Sequence, residues 1–97
     1  MQWETRTQIW LYPGEKASWH FVTIPKKVSA AIKAMTEGMR SPMGSVRVSV
    51  TIKKETWKTS LFPAKDKTYL LPIKADVRKK AKIGVGDTVS LKIALEG

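Results

Sequence analysis

Apolar and polar residues alternate along two stretches of the chain, which is the pattern of strands with one buried face. The first alternation places four aliphatic residues at every second position: Val46, Val48, Val50 and Ile52. The second does the same with Val89, Leu91, Ile93 and Leu95. A shift of register by one residue would turn every such side chain to the other face. We therefore expect both sets to face one hydrophobic core.

Four further segments predict strands, because they are rich in β-branched and aromatic residues and are bounded by turn signals. These segments are residues 2–12, 18–24, 56–62 and 68–74. Pro13-Gly14 predicts a hairpin between the first two of them. Pro72 lacks an N–H and restricts its strand to an edge or an irregular position. With the two alternating segments, the sequence predicts six strands.

Helical spacing appears twice. A helix is predicted from about Pro25 to Glu37, with Gly38 as its left-handed stop. Its apolar stripe is expected to contain Val28, Ala31, Ile32, Met35 and Met39.

A shorter helix is predicted from Ala75 to Lys82, with Val77 and Ala81 on its apolar side. Asp76 in its first turn and lysines in its last turn complement the helix dipole. Gly84 is expected to have a positive φ, because the chain must turn back into the last strand.

Six short strands would leave long bare edges in an open sheet, so closure into a small barrel is the economical arrangement. The expected fold is mainly β: one domain, residues 1–97, forming a small six-stranded β-barrel. The longer helix follows strand 2 and the short helix precedes the last strand. The loop of residues 39–45 is expected to cover one end of the barrel.

The charge is the extreme feature of the composition, with 18 Lys and Arg residues against 8 Asp and Glu residues and a formal net charge of +10. Residues 46–97 carry most of the excess. Such a balance favours an anionic partner, nucleic acid or another polyanion. The alternative is that lysines on outward positions serve solubility alone.

Several classes of chemistry are disfavoured by composition. There is no cysteine, and one histidine, His20, is too few for a transition-metal site. No apolar run approaches the roughly 18 residues of a membrane span, and the N-terminus has no apolar signal region. We expect a soluble cytoplasmic protein with no cofactor, no metal and no membrane partner. The oligomeric state is left open.

No constellation of residues predicts catalysis. His20 would have to activate Ser18, Ser60 or Ser90, and a surface histidine in a strand is the simpler interpretation. Asp76 and Asp87 are explained as a helix-start and a turn residue. The segment 84–87 lacks the continuation of a phosphate-binding loop. The sequence therefore favours a protein that is not an enzyme.

Tryptophans next to basic residues are the candidates for binding, since bases stack on rings and phosphates contact cations. Trp3 is expected in the core. The candidate binding residues are Lys74, Arg78, Lys79, Lys82, Lys58, Trp57, Trp10 and Trp19. The alternative is that the tryptophans fill the core of the barrel.

Four segments carry a resemblance to a known family: residues 19–25, 56–63, 69–79 and 83–89. Together they resemble a small bacterial domain-of-unknown-function family over nearly the whole chain. That family is similar to the double-split β-barrels of transition-state-regulator (AbrB-like) DNA-binding proteins. The resemblance implies a barrel whose two halves come from one chain, in line with a weak echo between residues 21–28 and 70–77. It assigns no catalytic residue. Residues 53–55 depart from the pattern, because they lack the usual glycine.

Two functions remain open at this stage. One is a nucleic-acid-binding module that uses a Lys/Arg-rich face. The other is a non-catalytic ligand-binding or interaction domain for an anionic small molecule or peptide, with a pocket between the loop 39–45 and the Trp57 strand.

Overall fold

The computed structural model describes residues 1–14 and 18–96. These residues form seven strands and two helices: β1 (Gln2–Gln8), β2 (Trp10–Pro13), β3 (Ser18–Ile24), α1 (Lys26–Met35), β4 (Val46–Ile52), β5 (Glu55–Pro63), β6 (Tyr69–Pro72), α2 (Ala75–Ala81) and β7 (Thr88–Leu95). In this part of the chain, no helix is both long and apolar enough to cross a membrane.

The strands form one antiparallel sheet in the order β1-β7-β4-β5-β6-β3-β2. Strands β1 and β2 lie at opposite ends of this order, yet a single residue, Ile9, separates them in the chain. The sheet must therefore curl until its two ends approach each other at Ile9. The side chain of Ile9 is buried between these ends. Nearby, the hydroxyl of Thr7 in β1 donates a hydrogen bond of 3.0 Å to the carbonyl of Thr23 in β3. The result is a curled, half-barrel sheet.

The strand count differs from the prediction of six, because the first predicted strand is divided at Ile9. Strand β1 pairs with β7, whereas β2 pairs with β3, so the two pieces serve different ends of the sheet. The longer helix consequently follows the third strand rather than the second. The short helix precedes the last strand, as predicted.

The predicted core register is confirmed. The inward residues of β4 and β7 are at most 4 % exposed, apart from Leu95, which is half-buried and packs against the same core. Arg47 and Ser49 lie on the other face of β4. Trp3, which was expected in the core, is half-buried at its boundary.

Helix α1 is shorter than predicted, and its buried side differs from the predicted stripe. Ser29 and Ile32 are fully buried, whereas Met35 is 44 % exposed and Met39, beyond the helix, is 68 % exposed. The hydroxyl of Ser29 donates to the carbonyl of Ile24 at 2.8 Å and accepts from the N–H of Tyr69 at 3.0 Å. The polar residue is buried because it joins the helix to β3 and β6, which an apolar pattern does not reveal.

The prediction for Gly84 is wrong. Helix α2 ends at Ala81, and its C-cap Lys82 adopts the left-handed conformation with a φ of 56°, so Gly84 does not need a positive φ. The N–H of Gly84 donates to the Asp87 carboxylate at 2.8 Å, and Gly86 has the positive φ, 91°. The left-handed helix stop therefore lies at Lys82, two residues before the predicted glycine, while the turn into β7 contains Gly86 and the expected turn residue Asp87.

Two glycine substitutions test this assignment. Gly86→Ala is expected to lower the free energy of unfolding by about 1–2 kcal/mol, because a Cβ disfavours the left-handed conformation. Gly84→Ala has no such conformation to oppose, and no atom beyond its chain neighbours lies within 4 Å of its added Cβ. Urea unfolding of both variants measures the difference. Equal losses would contradict the assignment.

The remaining turns agree in part with the prediction. Strands β2 and β3 pair as a hairpin after Pro13, while its residues 15–17 lie outside the described part of the chain. The turn between β4 and β5 contains no glycine, because Lys53 takes the left-handed position with a φ of 54°. Pro72 lies at the end of β6, which is an inner strand of the sheet rather than an edge.

The two weakly similar segments of the sequence, residues 21–28 and 70–77, form neighbouring elements of the fold. Strand β3 leads into α1 and strand β6 leads into α2. These two strands pair antiparallel, with Val22 opposite Leu71. The two strand-helix units are therefore in contact through the pairing of β3 with β6.

Candidate nucleic-acid interface

A groove with a volume of about 390 Å³ lies between β3, β5 and the start of α2. We call it the basic groove and define it by its lining: Trp19, His20, Trp57, Lys58, Thr59, Pro72, Ile73, Lys74, Ala75 and Arg78. It brings together five of the candidate residues from the sequence, namely Trp19, Trp57, Lys58, Lys74 and Arg78. Among the residues that the structure describes, no carboxylate belongs to this lining.

The local structure explains how these side chains meet. Trp57 is 8 % exposed and belongs to the core, so little of its surface is accessible from the groove. Lys58 follows on β5 and points outward because side chains alternate along a strand. Lys74 is the N-cap of α2, and Arg78 follows four residues later, on the same side of the helix.

The guanidinium group of Arg78 is held in place by two acceptors. Its Nε donates to the carbonyl of Ile73 at 3.1 Å, and its Nη1 donates to Nε2 of His20 at 3.2 Å. The N–H of Ile73 in turn donates to the carbonyl of His20 at 2.8 Å. Arginine has five N–H donors and cannot accept, so donors remain for an anion in the groove.

His20 is neutral in this arrangement. Because arginine only donates, Nε2 must accept, and the ring proton is assigned to Nδ1. Within the described residues Nδ1 is buried and has no hydrogen-bond partner. The pKa of His20 is lowered, first because partial burial disfavours the charged form and second because the positive Arg78 is adjacent.

This lowered pKa predicts a loss of stability on acidification. The unfolded chain takes up a proton on His20 as the pH falls through about 6.5, whereas the folded protein does so only at lower pH. The free energy of unfolding is therefore expected to decrease as the pH falls below that value. Urea unfolding between pH 7.5 and 5 measures the decrease, and His20→Gln, which still accepts from Arg78, should lack this component. The same pH dependence in both proteins would refute the assignment.

The cations of the groove differ in their partners. Lys58 lies 3.7 Å from Glu96, which also pairs with Arg47 at 3.8 Å. These pairs are exposed, so they contribute little to stability and are easily exchanged for another anion. Among the described residues, no carboxylate pairs with Lys74 or Arg78.

Three of the candidate residues do not line the basic groove: Lys79, Lys82 and Trp10. Lys79 is exposed on α2 but does not line the groove, and Lys82 lines a separate cavity beside Lys53 and β7. The four candidate cations between residues 74 and 82 therefore do not share one surface. Arg78 also has a structural role, because it donates hydrogen bonds to Ile73 and His20.

Trp10 belongs to a second surface, which the sequence analysis did not identify as a unit. We call it the aromatic face; it is the outer side of β2, β3, β6 and the end of β5, with Trp10, Tyr12, Trp19, Phe21, Phe62, Leu70 and Pro72. Aromatic residues occupy alternate positions in both strands of the hairpin: Trp10 and Tyr12 in β2, and Trp19 and Phe21 in β3. This alternation was a usable signal, but it was interpreted only through the tryptophans.

The alternative pocket proposed between the loop 39–45 and the Trp57 strand has a different lining. The cavity beside this loop contains Val46, Arg47, Leu95 and Glu96, and Trp57 is not part of it. Over residues 1–14 and 18–96, no three His, Asp or Glu side chains are grouped as metal ligands.

Comparison with known families gives one match. The profile of a family described as a domain of unknown function, DUF1905, matches residues 6–93. The matched range includes every residue of the basic groove and of the aromatic face. The comparison with curated proteins gave no match.

Proposed function

The chain belongs to the DUF1905 family, a domain of unknown function, and we propose that this member binds nucleic acid through the basic groove. The observation that carries the proposal is the meeting of Lys58, Lys74 and Arg78 beside tryptophan rings, in a groove where no described residue of the lining is a carboxylate. Phosphates bind to such cations, and release of their counterions favours binding.

The overall charge supports the proposal. A net charge of +10 attracts a polyanion over distances longer than any single contact and raises the rate of association. Arg78 is positioned before any ligand arrives, so little side-chain entropy is lost when it binds a phosphate. The bidentate geometry of a guanidinium also matches phosphate oxygens.

The proposal includes a fold relationship and a class of activity. We propose that the curled sheet is a double-split barrel related to the transition-state regulators, with the β3-α1 and β6-α2 units as its corresponding halves. We also propose that the domain binds without catalysis, since the sole histidine is engaged as an acceptor for Arg78. Fold likeness by itself does not establish function.

A titration tests the binding proposal. Fluorescence anisotropy of labelled 12-nucleotide single strands and duplexes should show binding in about 50 mM salt, with an affinity that decreases steeply as salt is added. Polyglutamate and inorganic phosphate serve as competing anions. Salt-dependent binding of an oligonucleotide supports the proposal. Binding of polyglutamate or phosphate with no binding of either oligonucleotide would contradict it and favour the anionic-ligand function.

A further inference from the structure

The aromatic face joins the basic groove without a break. Trp19 and Pro72 line both the basic groove and the apolar cavity of the aromatic face, which has a volume of about 420 Å³. A ligand that lies along the groove therefore meets aromatic rings as soon as it passes Trp19. The two surfaces together offer cations on one side and rings on the other.

Several rings of the aromatic face are accessible to a ligand. Tyr12 and Trp19 are each 56 % exposed and lie opposite one another on β2 and β3, while Phe62 is 47 % exposed on β5. Trp19 stacks on Phe21 with 6.4 Å between ring centroids and 17° between their planes. This contact restrains the ring of Trp19, which reduces the entropy lost when a flat group stacks on it.

We infer that this face stacks the bases of a single-stranded nucleic acid whose phosphates contact Lys58 and Lys74; the inference rests on the proposed function. Base stacking on aromatic rings beside a positively charged groove is the physical basis of single-strand binding. In a duplex the base faces are already stacked on one another and are not available. The domain therefore prefers single strands to duplexes of the same length.

A second copy of the chain fits this surface less well. Each copy has a net charge of +10, and face-to-face association would bring Lys58 and Lys74 of one copy towards the cations of the other. Like charges at an interface oppose association. Exposed apolar patches often mark interaction sites, and a polyanion with flat apolar groups is complementary to both the rings of the face and the nearby cations.

The test compares four ligands: a 12-nucleotide DNA strand, an RNA strand of the same sequence, the DNA duplex, and an abasic strand of equal length. The single strands should bind more tightly than the duplex and the abasic strand, and should quench tryptophan fluorescence. Trp19→Ala should weaken single-strand binding about 5- to 150-fold, the range for one stacked base, with little effect on abasic binding. Tyr12→Ala provides a second variant should the first fail to fold.

Met43→Ala, at a residue that is 87 % exposed in the loop after α1, is the matched control and should not change binding. Equal affinity for the abasic and base-containing strands would overturn this inference and leave the proposed function intact. Absence of salt-dependent binding to any of the four would overturn both. Dimerisation in sedimentation experiments that is lost in Trp19→Ala would also overturn the inference, by assigning the face to a second copy.

Discussion

Lys58→Ala/Lys74→Ala is expected to weaken oligonucleotide binding about 100-fold in 50 mM salt, as two phosphate contacts are lost. The slope of the logarithm of affinity against the logarithm of salt concentration should become shallower by about 1.4–1.8. The fold should persist, because both side chains are exposed and the pair between Lys58 and Glu96 is a weak surface pair. Anisotropy titrations from 50 to 300 mM salt, with circular dichroism of each protein, provide the measurement.

Lys27→Ala/Lys33→Ala is the matched control for this variant. Both lysines are exposed on α1, outside the basic groove, and their removal changes the net charge by the same amount. The control should retain most of the affinity and nearly the original slope. An equal loss in both double variants would show that the overall charge, and not the groove, determines binding.

Leu71→Ala is expected to lower the free energy of unfolding by about 2–5 kcal/mol, as is typical when a buried leucine is truncated and a cavity remains. Leu71 is fully buried in β6, between β3 and β5, where it supports the strand that carries Pro72 into the groove. The melting temperature should decrease by about 4–8 °C for each kcal/mol lost. Urea unfolding and calorimetry measure both quantities.

Leu70→Ala is the control, because this neighbour points to the opposite side of β6 and lies half-buried on the aromatic face. It should cost much less stability than Leu71→Ala. A larger loss at Leu70 than at Leu71 would mean that the register of β6 is shifted by one residue, which would exchange the core and the aromatic face.

The sequence predicted those parts of the fold that follow from local patterns. Alternation placed Val48 and Ile93 in the core, because successive side chains of a strand point to opposite faces, one exposed to solvent and one buried. The alternation did not reveal the division at Ile9. The chain remains extended there and continues to alternate, while its pairing changes from β7 to β3. Ser29 was missed for a related reason: its burial depends on the N–H of Tyr69, which lies 40 residues away in the chain.

The candidate site was predictable in its residue types but not in its grouping. Lys58, Lys74 and Trp19 were identified from charge and aromatic content, and the fold brings them to one groove. The sequence could not show that Lys82 points to another cavity, because the left-handed end of α2 directs it away. The pairing of Arg78 with His20 spans 58 residues and has no local signature.

The most direct test of the account is to map where an oligonucleotide binds. A ¹⁵N-labelled sample titrated with a 12-nucleotide single strand in about 50 mM salt, where phosphate contacts are strongest, should show amide shifts concentrated in three segments. These are residues 19–21, 57–59 and 73–78, and Nε1–H of Trp19 should shift with them. Shifts centred on α1 or on the outer side of β1 and β7, or no shifts at all, would contradict the assignment of the basic groove as the binding site.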